Sequence, residues 1–131
     1  MINNTAAERQ IRSYVYANYR IIKVEPGKCL YNFQCHSNAV HYAKKRREKK
    51  LAMVIYIDNN IPIVHFINYN SRKKKFTDNT LGQWTTQYEY YFVKWIDEAD
   101  MWFIHTIFKH YRQHLRNQLS WWVRLTSDYR G

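Results

Sequence analysis

The sequence predicts an α+β fold: an antiparallel β-meander of about four strands packed with an N-terminal helix, a cysteine-bearing helix and a long C-terminal helix. Three observations carry this expectation. Apolar and β-branched runs of strand length follow one another between residues 51 and 96, separated by short turns rich in Asn, Asp and Ser. Helical spacing of apolar residues occupies both ends of the chain. The chain has 131 residues, 46% apolar and 18% aromatic, enough for one domain with a core of its own. A single domain over residues 1–131 is expected, with a central part at about 33–96 and the C-terminal helix at about 97–120.

In order, Thr5-Ala6-Ala7-Glu8 has the Ser/Thr-x-x-Glu form of a capping box. Ala7, Ile11, Tyr14, Val15, Asn18 and Ile22 follow it at helical spacing, which predicts a helix over residues 6–19. Glu25-Pro26-Gly27-Lys28 is turn chemistry, and 29–34 is a short irregular approach. From Cys35 the spacing is helical again, with Ala39, Tyr42, Ala43 and Arg46 on one side. The basic run at 44–50 suits the negative end of that helix dipole. Residues 51–57 form an apolar strand ended by Asp58-Asn59-Asn60. Residues 61–69 form the next, with Pro62 near its start, where a missing amide is tolerated. Asn70-Ser71-Arg72-Lys73 turns the chain into a strand at 74–78, and a fourth strand is expected at 87–96. Asp97, Glu98 and Asp100 then head a helix whose apolar stripe runs through Met101, Ile104, Phe108, Tyr111, Leu115, Leu119 and Trp122.

Charge and cysteine usage narrow the class. The net charge of +11, from 21 Lys and Arg against 10 acids, attracts nucleic acid, acidic protein surfaces or anionic lipid without choosing among them. No apolar run approaches the roughly 18 residues of a membrane span, so no membrane partner is expected. No secretory pattern is visible at the first residues, and a cytoplasmic location is the default expectation. Cys29 and Cys35 make no disulfide framework and would both be free thiols in a reducing compartment.

The residues that bear chemistry converge on Cys35, His65 and Asp78. A cysteine works as a thiolate, and its pKa falls at a helix N-terminus beside a histidine, which is where the pattern sets Cys35. A base must come from elsewhere in the fold, oriented by a third group. His65 and Asp78 stand 13 residues apart around a turn centred between Ser71 and Arg72. A symmetric two- or four-residue loop there would set them directly opposite one another, with Cβ atoms roughly 4.5–5.5 Å apart. The arrangement depends on that register, because a bulged loop would break it.

A cysteine heading a helix, then a strand, then a histidine, then Asp on the strand after is the order of papain-like and transglutaminase-like cysteine enzymes. The strings Cys35-His36-Ser37-Asn38-Ala39, His65-Phe66-Ile67-Asn68-Tyr69 and Thr77-Asp78-Asn79-Thr80 resemble those of small transglutaminase-like proteins, phage-encoded ones included. The resemblance spans about residues 34–82. It implies a transglutaminase/papain-like core and a Cys35–His65–Asp78 triad acting without a cofactor on a protein or peptide. The reaction would be hydrolysis (peptidase, amidase or deamidase) or acyl transfer to an amine. An oxyanion donor is implied from Gln34 or Asn32 together with the Cys35 backbone amide. A phage protein would act on an acidic host target in the host cytoplasm, and richness in Asn, Lys and Tyr fits such a source.

Other classes compete. Cys29, Cys35, His36 and His41 match no paired zinc spacing, and His110 and His114 lack the glutamate of a His-Glu-x-x-His helix, so no metal is expected. A basic surface of Lys44, Lys45, Arg46, Arg47, Arg72, Lys73, Lys74 and Lys75 is a candidate for binding nucleic acid, with Lys109, Arg112, Arg116 and Arg124 able to extend it. In the rival reading the protein is a basic nucleic-acid- or protein-binding module, such as a phage inhibitor of a host factor, with Cys35 incidental.

Overall fold

The computed structural model describes residues 4–27, 35–45 and 49–129, with only the backbone described for Cys35, His36, Ser37, Tyr42 and Lys45. The chain is α+β. Helix α1 spans Asn4–Asn18 and buries Ala7, Ile11 and Val15, three consecutive turns of one stripe. Thr5 falls inside its first turn rather than at a cap. Two short strands follow, β1 (Ile21–Ile22) and β2 (Val24–Pro26), the second formed by residues expected in a turn. Pro26 is tolerated there because β2 is an edge strand.

Helix α2 spans Cys35–Lys45 and strand β3 spans Lys49–Asp58. Lys49 and Lys50 therefore open a strand instead of closing the helix, a correction to the basic run at 44–50. Asn59 and Asn60 both adopt positive φ (49° and 68°) and join β3 to β4 (Ile61–Asn70), pairing Asp58 with Ile61. Two left-handed residues match the right-handed twist of the flanking strands, and Asn takes that conformation more readily than most side chains. Strand β5 (Lys75–Asp78) returns from a turn in which the Asn70 side chain accepts from the amides of Arg72 and Lys73, and Lys74 takes φ 56°.

The expected meander is not what forms. Among the described residues the sheet has six strands, in the order β1-β6-β3-β4-β5-β2, where β6 is Glu89–Ile96. After β5 the chain crosses through a 3-10 helix (Gly82–Gln87), and β6 pairs antiparallel with the far edge of β3 rather than with β5. The β5 edge is taken by β2, in parallel, which makes the sheet mixed. The reason lies in β3, where five consecutive residues from Leu51 to Ile55 are fully buried. A strand buried on both faces is stable only as a central one, with both edges paired.

The two faces differ. Leu51, Met53, Ile55, Val64 and Phe66 pack under the helices, against Ala7, Ile11 and Val15 of α1 and Ala39 and Ala43 of α2. Each fully buried aliphatic chain contributes about 1.5–3 kcal/mol. The opposite face holds a smaller cluster of Ala52, Val54, Ile67 and Tyr90, edged by Tyr56, Phe76, Tyr88 and Phe92.

The long C-terminal helix is also broken. A 3-10 helix (Glu98–Phe103) leads into α3 (Ile104–Arg116), and a turn at 117–120 precedes α4 (Trp121–Thr126). Met101, Ile104, Tyr111, Leu115 and Leu119 are buried as the stripe predicts, but Trp122 is 58% exposed. The break redirects the chain so that the Arg116 guanidinium donates to the carbonyls of Arg124, Ser127 and Tyr129. No helix among the described residues is long and apolar enough to cross a membrane.

Candidate functional site

The buried polar centre of the sheet lies where β5 ends. Nε2 of His65, on β4, stands 2.7 Å from Oδ2 of Asp78, the last residue of β5; the two residues are 3% and 0% exposed. The register differs from the expected one. Asn70 pairs with Lys75 and Asn68 with Thr77, so the turn is centred one position later, between Arg72 and Lys73. Continued one step, that ladder sets Asp78 opposite Ile67, and His65 is its diagonal neighbour two residues along. A shift of two residues keeps both side chains on one face, and the remaining distance is within reach of an imidazole.

Asp78 is held on every side. Its Oδ1 accepts from the amides of Thr80 and Leu81, each at 2.9 Å, the geometry of an Asx turn that ends β5. Its Oδ2 accepts from the Tyr90 hydroxyl at 2.7 Å as well as facing His65. Its backbone carbonyl accepts from Gly27 at 2.9 Å. Burial would push the carboxyl up, but the His65 hydrogen bond and charge, with the Leu81 amide and the Tyr90 hydroxyl, hold it below the usual carboxylate range. Burial and the Asp78 charge push the Tyr90 hydroxyl far above its ordinary value, so Tyr90 remains a donor. Tyr56 packs edge-on against the His65 ring, with centroids 5.1 Å apart.

Asparagines tie this centre to α2. Asn38 donates to the Thr80 hydroxyl at 2.9 Å; Asn68 donates to the Ala39 carbonyl at 2.8 Å and accepts from Asn79 at 2.9 Å. Cys35 opens α2 three residues before Asn38, about 4.5 Å along the axis. The helix nevertheless packs on the face carrying Phe66, whereas His65 belongs to the face of Tyr56 and Tyr90. The β4–β5 ladder covers only residues 68–70 of β4, so among the described residues the sheet ends at β4 on this side at the level of His65.

The structure thus brings His65 and Asp78 together and sets the backbone of Cys35 at the head of a helix. The Cys35 side chain, Gln34 and Asn32 lie outside the described residues, as do Cys29, Arg46 and Arg47 and the side chains of His36 and Lys45. Lys44 is exposed with its ammonium 3.9 Å from the centroid of the Trp102 ring, and Arg72, Lys73, Lys74 and Lys75 are exposed at the β4–β5 turn. His110 and His114 lie on α3, where His114 Nε2 meets the Tyr14 hydroxyl at 3.0 Å. Sequence pattern alone singles out neither Tyr90, which falls within the strand expected at 87–96, nor the asparagines. The available signal was Asn68 inside an apolar strand, since a buried amide needs partners. Comparison with family models, with curated proteins and with solved structures finds no match.

Proposed function

We propose that the protein is a small cysteine hydrolase or acyltransferase of the transglutaminase-like or papain-like kind, with Cys35 as nucleophile, His65 as base and then acid, and Asp78 as the group orienting it. The observation that carries this reading is the buried His65–Asp78 pair at the end of β5, hydrogen-bonded through Thr80 and Asn38 to the helix that Cys35 opens. With Nε2 turned to Asp78, proton transfer falls to Nδ1. The thiolate would add to an amide carbonyl, the C–N bond would break as the imidazolium protonates the leaving amine, and a thioester would remain. Water then makes the reaction a hydrolysis; an amine makes it an acyl transfer. The Cys35 backbone amide, with Gln34 or Asn32, would face the oxyanion.

Because α2 packs on the other face, the Cys35 thiol must meet His65 past the end of β5, where the ladder stops. Incubation with p-nitrophenyl acetate followed by peptide mapping tests the chemistry. An acetyl thioester on Cys35, absent in Cys35→Ala and slow to form in His65→Ala, is the expected outcome. Acetylation of Cys35 at the same rate in both His65 forms would contradict it.

A further inference from the structure

The sheet face opposite the helices continues from His65 to an aromatic row that the chemistry above does not use. Tyr69 of β4 pairs with Phe76 of β5, their rings 4.7 Å apart. Trp95 of β6 leans across β3 to reach both, stacking on Phe76 at 5.8 Å with planes 12° apart and meeting Tyr69 edge-on at 5.3 Å. Phe92 closes the row, 4.9 Å from Trp95. The rings meet over β3 because Trp95 stands opposite Ala52, a residue too small to part them, which they bury completely.

Sealing Ala52 accounts for part of this arrangement. It does not account for the 42% exposure of Trp95, nor for the charges over the rings. The Lys50 ammonium is 5.6 Å from the Trp95 centroid, and the Arg20 guanidinium 5.1 Å from that of Phe92. Beyond the Tyr69–Phe76 pair the hairpin continues into Arg72, Lys73 and Lys74, all exposed. Lys75 pairs with Glu25 at 3.5 Å, the one acid joined to a cation on this stretch among the described ion pairs. Trp95 and Lys50 also line a cleft of about 750 Å³ toward α2, where Lys44 and Lys49 stand with Asp97 and Glu98, so the cleft carries both signs.

We propose that this row is a stacking platform for single-stranded nucleic acid, with bases on Trp95, Phe76, Tyr69 and Phe92 and phosphates toward Lys50, Arg20 and the hairpin turn. Aromatic rings on an open sheet face bind unpaired bases of any sequence, because every base has a π-face, and flanking cations follow the phosphates. A duplex offers free base faces only at its ends, and the side chains of an acidic peptide offer charge but no aromatic face. The chemistry of the row therefore selects an unpaired strand. The proposal is independent of the Cys35 reading.

The test is fluorescence anisotropy of a labelled oligothymidylate of about 12 nucleotides, within the site size of single-strand binding folds, against the full chain. The same measurement is made with a duplex of equal length and with unlabelled polyglutamate as competitor. Single strand should bind in preference to duplex and resist polyglutamate. Trp95→Leu keeps an apolar cover and removes the ring, and should weaken binding roughly 5- to 150-fold. Trp95→Phe should stay near the parent, which separates lost stacking from lost folding. Joint reversal by Lys73→Glu and Lys74→Glu should flatten the salt dependence between about 50 and 200 mM. Equal affinity for duplex and single strand, no loss in a folded Trp95→Leu protein, or displacement by polyglutamate at matched charge would each overturn the proposal. Alkylation of Cys35 should be unchanged in Trp95→Leu, so the two proposals fail separately.

Discussion

The Tyr90 hydroxyl donates to Oδ2 of Asp78 at 2.7 Å, the oxygen that also faces the His65 imidazole. A carboxylate shared in this way has a fixed position and a fixed charge. Tyr90→Phe removes a hydrogen bond to a charged group, and a loss of about 1.5–3 kcal/mol is expected. Because Tyr90 helps hold the Asp78 carboxyl low, its loss should also move the Asp78 titration upward. Denaturant unfolding and carboxylate titration by NMR check the two parts.

The depressed carboxyl of Asp78 has a definite pH signature. A group whose folded pKa lies below its unfolded value contributes stability fully above the unfolded value, near 3.9 for Asp. That contribution is lost as pH falls through the folded value. Asp78→Asn should lower stability at neutral pH and flatten the fall in stability below about pH 4. Thermal unfolding from pH 7 to pH 2 reads this directly. Parallel curves for the two proteins would show that Asp78 does not set the acid limb.

Gly27 is confined by the same centre. A Cβ built there would collide with Oδ1 of Asn79 and sit 3.1 Å from the Asp78 carbonyl. The Asn79 side chain is itself held by Asn68, so it cannot swing away freely. Gly27→Ala should cost about 1–3 kcal/mol, the usual penalty of overpacking. In an Asn79→Ala background the added cost should shrink, a non-additivity that a double-mutant cycle measures.

Arg116 is the fastening of the C-terminal segment, donating to three carbonyls between Arg124 and Tyr129. Arg116→Ala leaves them without that donor and should raise hydrogen exchange across 121–129 while the strands stay protected. Arg116→Lys should restore only part of the protection, because an ammonium cannot copy the guanidinium fork.

The fold was legible wherever periodicity reports a face. The α1 stripe, the Asn59–Asn60 hairpin and the buried positions from Met101 to Leu119 follow from spacing and turn chemistry. Spacing does not say which edge a strand will join. β6 went to β3 because a strand buried on both faces needed a second neighbour, a fact of the assembled sheet. β1 and β2 are too short to show any period. At the site, the pairing of His65 with Asp78 survived an error in register because a two-residue shift preserves the face. Tyr90 was illegible because its partner depends on β6 crossing to β3.

The proposed catalysis requires a thiolate at Cys35 held by His65. The direct measurement is the pH dependence of iodoacetamide modification at Cys35, mapped by mass spectrometry in the parent protein and in His65→Ala. Rapid modification below pH 7 that slows in His65→Ala is the expected result, since an unassisted thiol ionises only near about pH 8.5. Modification that rises only in that ordinary range, and alike in both proteins, would contradict it.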